Sequence, residues 1–269
     1  MKVKSFVVFS FLFVCLSSPF ASAQVGMRAI TNLADIAVRN TWTIYVAYAD
    51  DYLCISMDGR TCSFEVSHGE HNFSHAFFDG GDAINLRFFL DNLGCLGWGT
   101  HIRISKNGKQ QQSFKPSHWI GACGHVWSGS HNIASLREKY YVLYPLDTNT
   151  GAAQNSCLDN FRSGRVGLWP YHGGDNQIWF FAAGRHEDHY KLCSKEDQRC
   201  LRLIGPVGNS GVTMEGGACT HDHCLWRFTD SGHLAPNGVY GSCVKASNWS
   251  TLEIVDDGNC TRWQIMELM

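Results

Sequence analysis

The chain has 269 residues, of which 44% are hydrophobic, 13% aromatic and 17% charged, with a formal net charge of −2 that leaves 13 histidines uncounted. No polybasic surface can be assembled from that balance, so nucleic acid and anionic membrane are excluded as expected partners. The length suits two modest domains or one large β domain, and two are expected.

Lys2 and Lys4 precede an apolar stretch from Phe6 to Phe20, and Ala21-Ser22-Ala23 lead to Gln24. This is the charge, core and small-residue order of a secretory signal with no stop-transfer segment behind it. Residues 1–23 are expected to be a signal peptide cleaved after Ala23, leaving a soluble extracellular protein. Val14 before Cys15 speaks against a lipid anchor there. Cleavage removes one of 12 cysteines and leaves an odd number. In an oxidising compartment pairing is the default, so at least one thiol is free or bonded to another molecule. No CxxC occurs, which removes the thioredoxin-type motif and the usual zinc knuckle. Abundant glycine and aromatics, without long amphipathic helical periodicity, indicate an all-β chain.

Residues 24–136 alternate in strand fashion at Trp42–Tyr48, Tyr52–Met57, Ile84–Leu90 and His101–Ser105. Turn signals at Asp58-Gly59, Gly80-Gly81, Asn92-Leu93-Gly94 and Asn107-Gly108 break them up. The Asp50-Asp51 to Asp58-Gly59 segment, an apolar strand and an Asn-Gly turn resemble the jelly-roll β-sandwiches often appended to glycan-active proteins, which implies a β-sandwich here. A decayed second set of the repeats found downstream is the other reading, because Phe78-Asp79-Gly80-Gly81-Asp82 echoes Tyr171-His172-Gly173-Gly174-Asp175. His68, His71 and His75 stand at helical spacing, but Gly69 and Asn72 break a helix. The segment reads as a loop of solvated histidines rather than a metal site, and His221-Asp222-His223 is weaker still. Gly94-Cys95-Leu96-Gly97-Trp98-Gly99 lacks the order of a phosphate-binding loop. Asp50, Asp51, Asp79, Asp82 and Asp91 leave acid–base hydrolysis open in principle. No nucleophile elbow, HExxH or triad signature accompanies them, so catalytic residues, metal and cofactor are all expected to be none. Cys54–Cys62 and Cys95–Cys123 are the pairings guessed for this half.

Residues 137–269 repeat. Cys157-Leu158, Cys200-Leu201 and Cys243-Val244 recur at intervals of 43 residues. Each is followed by a short alternating strand (Val166 to Trp169, Val212 to Glu215, Leu252 to Val255) and then by Trp179, Trp226 or Trp263. One such unit cannot bury its own apolar face, whereas three can pool their tryptophans and leucines into one core and close a pseudo-threefold barrel. The three tryptophans are therefore expected in that core.

The first repeat reads Cys157-Leu158-Asp159, then Val166-Gly167-Leu168-Trp169-Pro170-Tyr171-His172-Gly173-Gly174-Asp175-Asn176-Gln177-Ile178-Trp179. It resembles the ricin-type β-trefoil lectins, whose repeats open with Cys-Leu-Asp, carry an internal disulfide and end in Gln-x-Trp. The resemblance implies a β-trefoil over 137–269 and a cleft for galactose or N-acetylgalactosamine built from Asp159, Trp169, His172, Asn176 and Gln177. Asp159 would accept from adjacent sugar hydroxyls, Asn176 would donate and accept at the same diol, and Trp169 would stack on the apolar C–H face. Gly167 and Tyr171 depart from the family, the latter replacing the repeat's second cysteine. Repeats two and three lack the acidic residue, having Arg202 or Leu203 and Lys245 or Ala246, and they have Met214 and Ile254 about where the aromatic should be. They read as structural, with Trp249 keeping a displaced site open. The family further implies Cys200–Cys219 and Cys243–Cys260; Cys193 and Cys224 are paired by their flanking positions, and Cys157 is left as the odd thiol. The expected function is that of a secreted, non-catalytic lectin for cell-surface or secreted glycans, as a cell-binding component of a bacterial toxin with a partner subunit, or another virulence factor. A glycan-active hydrolase with an appended lectin, and a protein-interaction trefoil without sugar binding, are the alternatives.

Overall fold

The computed structural model describes residues 26–67, 69–80, 83–93, 98–118, 123–135, 138–147, 154–161, 164–184, 186, 188–205, 211–216, 219, 221–248, 251–256 and 258–269. The signal segment, His68, Asp82, Cys95 and Trp249 lie outside them. The chain is all-β, with short 3₁₀ turns at Leu33–Asp35, Asp175–Gln177 and Asp222–Cys224. Among the described residues no helix is long and apolar enough to cross a membrane.

The first unit is a sandwich. Thr41–Ala49 pairs with His71–Phe78 on one side and Trp98–Lys106 on the other, and Lys109–Phe114 and Ser117–His118 extend that sheet. Tyr52–Ser56 pairs with Phe64–Val66 and Ile84–Asn92, and Gly124–Ile133 completes the second sheet. Period-two burial makes these strands: Ile44 and Val46, Leu53 and Ile55, Leu86, Phe88 and Leu90, and Ile102 and Ile104 all turn into one core between the sheets. The sequence expectation of a loop over 67–75 is corrected in part, because His71–Phe78 is a strand along Thr41–Ala49. Asn72 does take a left-handed backbone (φ 63), but the ladder runs on past it.

Residues 26–39 join the second half rather than the sandwich. Met27–Ile30 runs antiparallel to Trp263–Leu268, and Val38–Arg39 lies parallel to Trp179–Ala183. Between them Ile36 is buried in the second core, and the Ala37 N–H donates to the Tyr141 hydroxyl at 2.7 Å.

In the second half each repeat contributes one hairpin: Ser156–Phe161 with Arg165–Pro170, Cys200–Ile204 with Gly211–Glu215, and Ser242–Asn248 with Thr251–Asp256. The hairpins meet through Arg165 with Thr213 and Gly211 with Glu253. Trp179, Trp226 and Trp263 are buried in one core with Leu158, Leu201 and Val244. The indole N–H of Trp179 donates to Leu158 O at 3.0 Å, and that of Trp226 to Leu201 O at 2.9 Å, so the repeat is visible even in its hydrogen bonds. The closed barrel expected from the sequence is not formed as a continuous ladder. Pairing runs from Trp263–Leu268 to Tyr141–Pro145, through Trp179–Ala183, Tyr190–Ser194 and Trp226–Phe228 to Leu234–Pro236, and among the described residues the last seam back to Trp263–Leu268 is an isolated His233–Arg262 bridge rather than a ladder.

The two halves touch where Phe78 meets Phe180 edge-on, with ring centroids 5.1 Å apart. Beside them the Arg39 guanidinium stacks between Tyr140 and Phe180. The buried Lys191 ammonium donates to Thr41 Oγ1 at 3.2 Å. Desolvation lowers the Lys191 pKa to about 8. The charged form is disfavoured in the folded chain but not in the unfolded one, so the unfolded state holds the extra proton above that pH and stability rises with pH until an ordinary lysine would titrate. Wild type is expected to gain about 1 kcal/mol between pH 8 and pH 9 relative to Lys191→Met, read by urea unfolding at the two pH values.

Candidate functional site

Asp159 projects from the strand Ser156–Phe161, directly opposite Gly167 in the hairpin register, and Trp169 stands opposite Cys157 on the same face. Gly167 places no side chain between the carboxylate and the indole. Trp169 is 47% exposed and meets Phe161 edge-on at 6.2 Å.

The segment after Trp169 folds back over the carboxylate. Asn176 Nδ2 donates to Asp159 Oδ1 at 2.9 Å and Gln177 Nε2 donates to Asp159 Oδ2 at 2.8 Å. Gln177 also donates to Pro170 O, and its Oε1 accepts the His172 N–H at 2.8 Å. It is wholly buried, so its amide orients the carboxylate and the turn rather than facing a ligand. His172 is half exposed, with Nε2 3.9 Å from Asp159 Oδ2, and its Nδ1 accepts the Gly174 N–H at 3.2 Å. A Cβ at Gly174 would come within 2.6 Å of His172 Cε1 and 2.5 Å of Asn176 Oδ1, so any larger residue here displaces one of these two side chains. Asp159 is itself only 1% exposed, and burial raises its pKa against the lowering effect of Gln177, Asn176 and His172. Each oxygen accepts one amide and retains a lone pair.

Among the described residues the other repeats carry no such set. At the Asp159 position Arg202 stands opposite Thr213 and Lys245 opposite Glu253. Met214 and Ile254 align with Leu168 in the core, one residue inward of where the sequence placed them; the Trp169 position is held by Glu215 and Val255. Glu215 is taken by Arg202 at 2.7 Å.

The disulfides agree in part with expectation. Cys54–Cys62 and Cys243–Cys260 form as expected. Cys123 is disulfide-bonded, and its expected partner Cys95 lies outside the described residues. In the second repeat Cys193 bonds Cys200 and Cys219 bonds Cys224, which corrects both Cys200–Cys219 and Cys193–Cys224. All four sit in one buried cluster. There the antiparallel register puts Cys193 directly across from Cys200, while Cys219 and Cys224 flank the turn into the 3₁₀ segment. Several disulfides of this kind fit a chain made for an oxidising, extracellular setting. Cys157 is a buried free thiol, and burial pushes its pKa up, away from the thiolate that a disulfide to another subunit would need.

The remaining sequence candidates are engaged elsewhere. The His75 ring packs on Phe64 at 4.0 Å, while His71 is exposed. Asp79 accepts from Asn40 N, Asn40 Nδ2 and Trp42 Nε1, a structural clamp. Asp91 lies 3.4 Å from His125. His221 lies 3.6 Å from Glu215. Glu215, Cys219 and Cys224 converge, but the two sulfurs are bonded to each other.

No family model and no curated protein matches the chain. Solved structures that resemble it at low similarity include the following three. A GlcNAcα1-4Gal-releasing endo-β-galactosidase from Clostridium perfringens is 8% identical over 87% of this chain and 73% of its own, with a TM-score of 0.38. The Haemophilus ducreyi cytolethal distending toxin is 15% identical over 46% of this chain and 80% of its own, with a TM-score of 0.32. A non-toxic homologue of type II RIPs from Momordica charantia (bitter gourd), in complex with α-methyl-D-galactoside, is 11% identical over 85% and 98%, with a TM-score of 0.39. Scores this low carry no activity across to this chain.

Proposed function

We propose that the chain is a secreted, non-catalytic carbohydrate-binding protein whose first repeat holds a neutral sugar of the galactose or N-acetylgalactosamine type, serving as the cell-attaching part of a toxin or virulence factor. The observation that carries this reading is the pairing of an amide-held carboxylate, Asp159, with a half-exposed indole, Trp169, on one hairpin face. Adjacent hydroxyls take the remaining lone pairs of Asp159 once half-exposed His172, 3.9 Å from Oδ2, turns aside, while Trp169 covers the apolar C–H face of the ring. Asn176 and half-exposed His172 border the same space. One site of this size binds weakly, so firm attachment comes from several copies on one particle or from a partner subunit.

Titration with methyl β-galactoside, beside a glycan array, tests the reading. Trp169→Ala is expected to weaken binding about tenfold, the worth of one aromatic contact, with the unfolding midpoint unchanged. A wild-type protein that binds no neutral glycan, or a Trp169→Ala variant that binds as well, overturns it.

A further inference from the structure

A second groove lies on the sandwich, on the outer face of its four-stranded sheet and away from the Asp159 cleft. Its volume is about 290 Å³, at the small end of the range for small-molecule clefts. Two neighbouring strands build it, with Asn85, Arg87 and Phe89 from Ile84–Asn92 set opposite Asn132, Ser130 and Ser128 from Gly124–Ile133. Strand alternation fixes this face as the outer one, because Leu86, Phe88 and Leu90 between them are buried in the core. From Asn85 to Phe89 the floor runs roughly 13 Å, the length of one or two sugar rings.

The lining specifies its ligand. Arg87 is exposed and pairs with no carboxylate among the described residues. The acids beside it are engaged with other groups: Asp91, four residues along the same strand, lies 3.4 Å from His125, and Asp58, in the turn next to Gly59, accepts from Ser56 Oγ, Arg60 N, Thr61 N and Thr61 Oγ1. Gly59, at φ +77, brings the chain close to Asn85 and Arg87: a Cβ there would lie 3.1 Å from Asn85 Nδ2 and 3.4 Å from Arg87 Nε. The turn thus satisfies Asp58 and passes close beside the guanidinium. The other polar groups, two amides and two hydroxyls, each donate and accept, which suits hydroxyl groups; a phosphate or sulfate has only acceptors to offer. Half-buried Phe89 supplies an aromatic surface at one end.

We propose that this groove, with Arg87 at its centre, binds a carboxylate-bearing sugar unit, a uronic or sialic acid, independently of the first-repeat site. The guanidinium takes the carboxylate through paired N–H donors while Asn85, Asn132, Ser128 and Ser130 take the ring hydroxyls.

The test titrates the full mature chain with methyl glucuronide, the methyl glycoside of N-acetylneuraminic acid, methyl glucoside and sodium sulfate. At least one acidic sugar is expected to bind, with methyl glucoside and sulfate about ten- to hundredfold weaker. Arg87→Gln, a surface change that spares the core, loses that preference by the same factor, whereas Asp159→Asn retains it. The proposal is overturned if neither acidic sugar binds, if glucoside or sulfate binds as tightly, or if Arg87→Gln leaves the affinity unchanged. Loss of galactoside binding in Asp159→Asn with acidic-sugar binding intact separates the two sites.

Discussion

Trp179→Ala is expected to lower the stability of the second half by about 3–5 kcal/mol, the usual consequence of emptying a buried tryptophan site. Trp179 is fully buried, opposes Tyr141 in the strand register and donates to Leu158 O, so its removal leaves both a cavity and a carbonyl without its donor. Against a typical domain stability of about 5–15 kcal/mol, that leaves a marginal or unfolded unit at 37 °C. The informative control is Trp169→Ala, ten residues earlier in the same repeat, which sits half in solvent and should shift the urea midpoint little. Equal destabilisation by the two variants would contradict the division into a core tryptophan and a surface tryptophan.

Galactoside affinity is expected to fall on acidification before the fold is affected. Burial holds the Asp159 pKa above its ordinary value of 3.8, so the carboxylate protonates at a higher pH than an exposed aspartate. The sign for stability is the opposite of the usual aspartate case. Because the folded pKa is raised, the neutral acid is the form folding favours, and that contribution is complete below about 3.8 and lost as pH rises through the folded value. Protonation therefore removes an acceptor from the sugar without unfolding the chain. Asp159→Asn should bind weakly and without pH dependence over the same interval, measured by titration at stepwise pH with circular dichroism in parallel. Affinity that stays constant in wild type down to the point of acid unfolding would exclude Asp159 as the acceptor.

The sandwich was legible from residue 41 onward because its strands are marked by local alternation, whereas residues 26–39 carry no sign of the partner they choose. Met27–Ile30 finds that partner more than 230 residues later, at Leu268 to Ile265, and only the folded chain brings the two together. His71 and His75 were misplaced in a loop for a related reason: Asn72 and Gly69 are honest turn residues, but a long neighbour strand supplies the hydrogen bonds that override them.

The sequence by itself determined the all-β class, the threefold spacing of the second half and its three core tryptophans, and it named the residues that the fold gathers around Asp159. These are short-range features, written into contiguous strings such as Cys157-Leu158-Asp159 and Asp175-Asn176-Gln177-Ile178-Trp179 that one hairpin and its following turn bring together. Tertiary structure alone decided the exposure of these residues, with Gln177 sealed behind the carboxylate while His172 stays half exposed. It also decided the pairing of Cys193, Cys200, Cys219 and Cys224, because four thiols in one buried cluster are distinguished only by strand register, and the groove around Arg87, whose walls come from strands that meet only on folding.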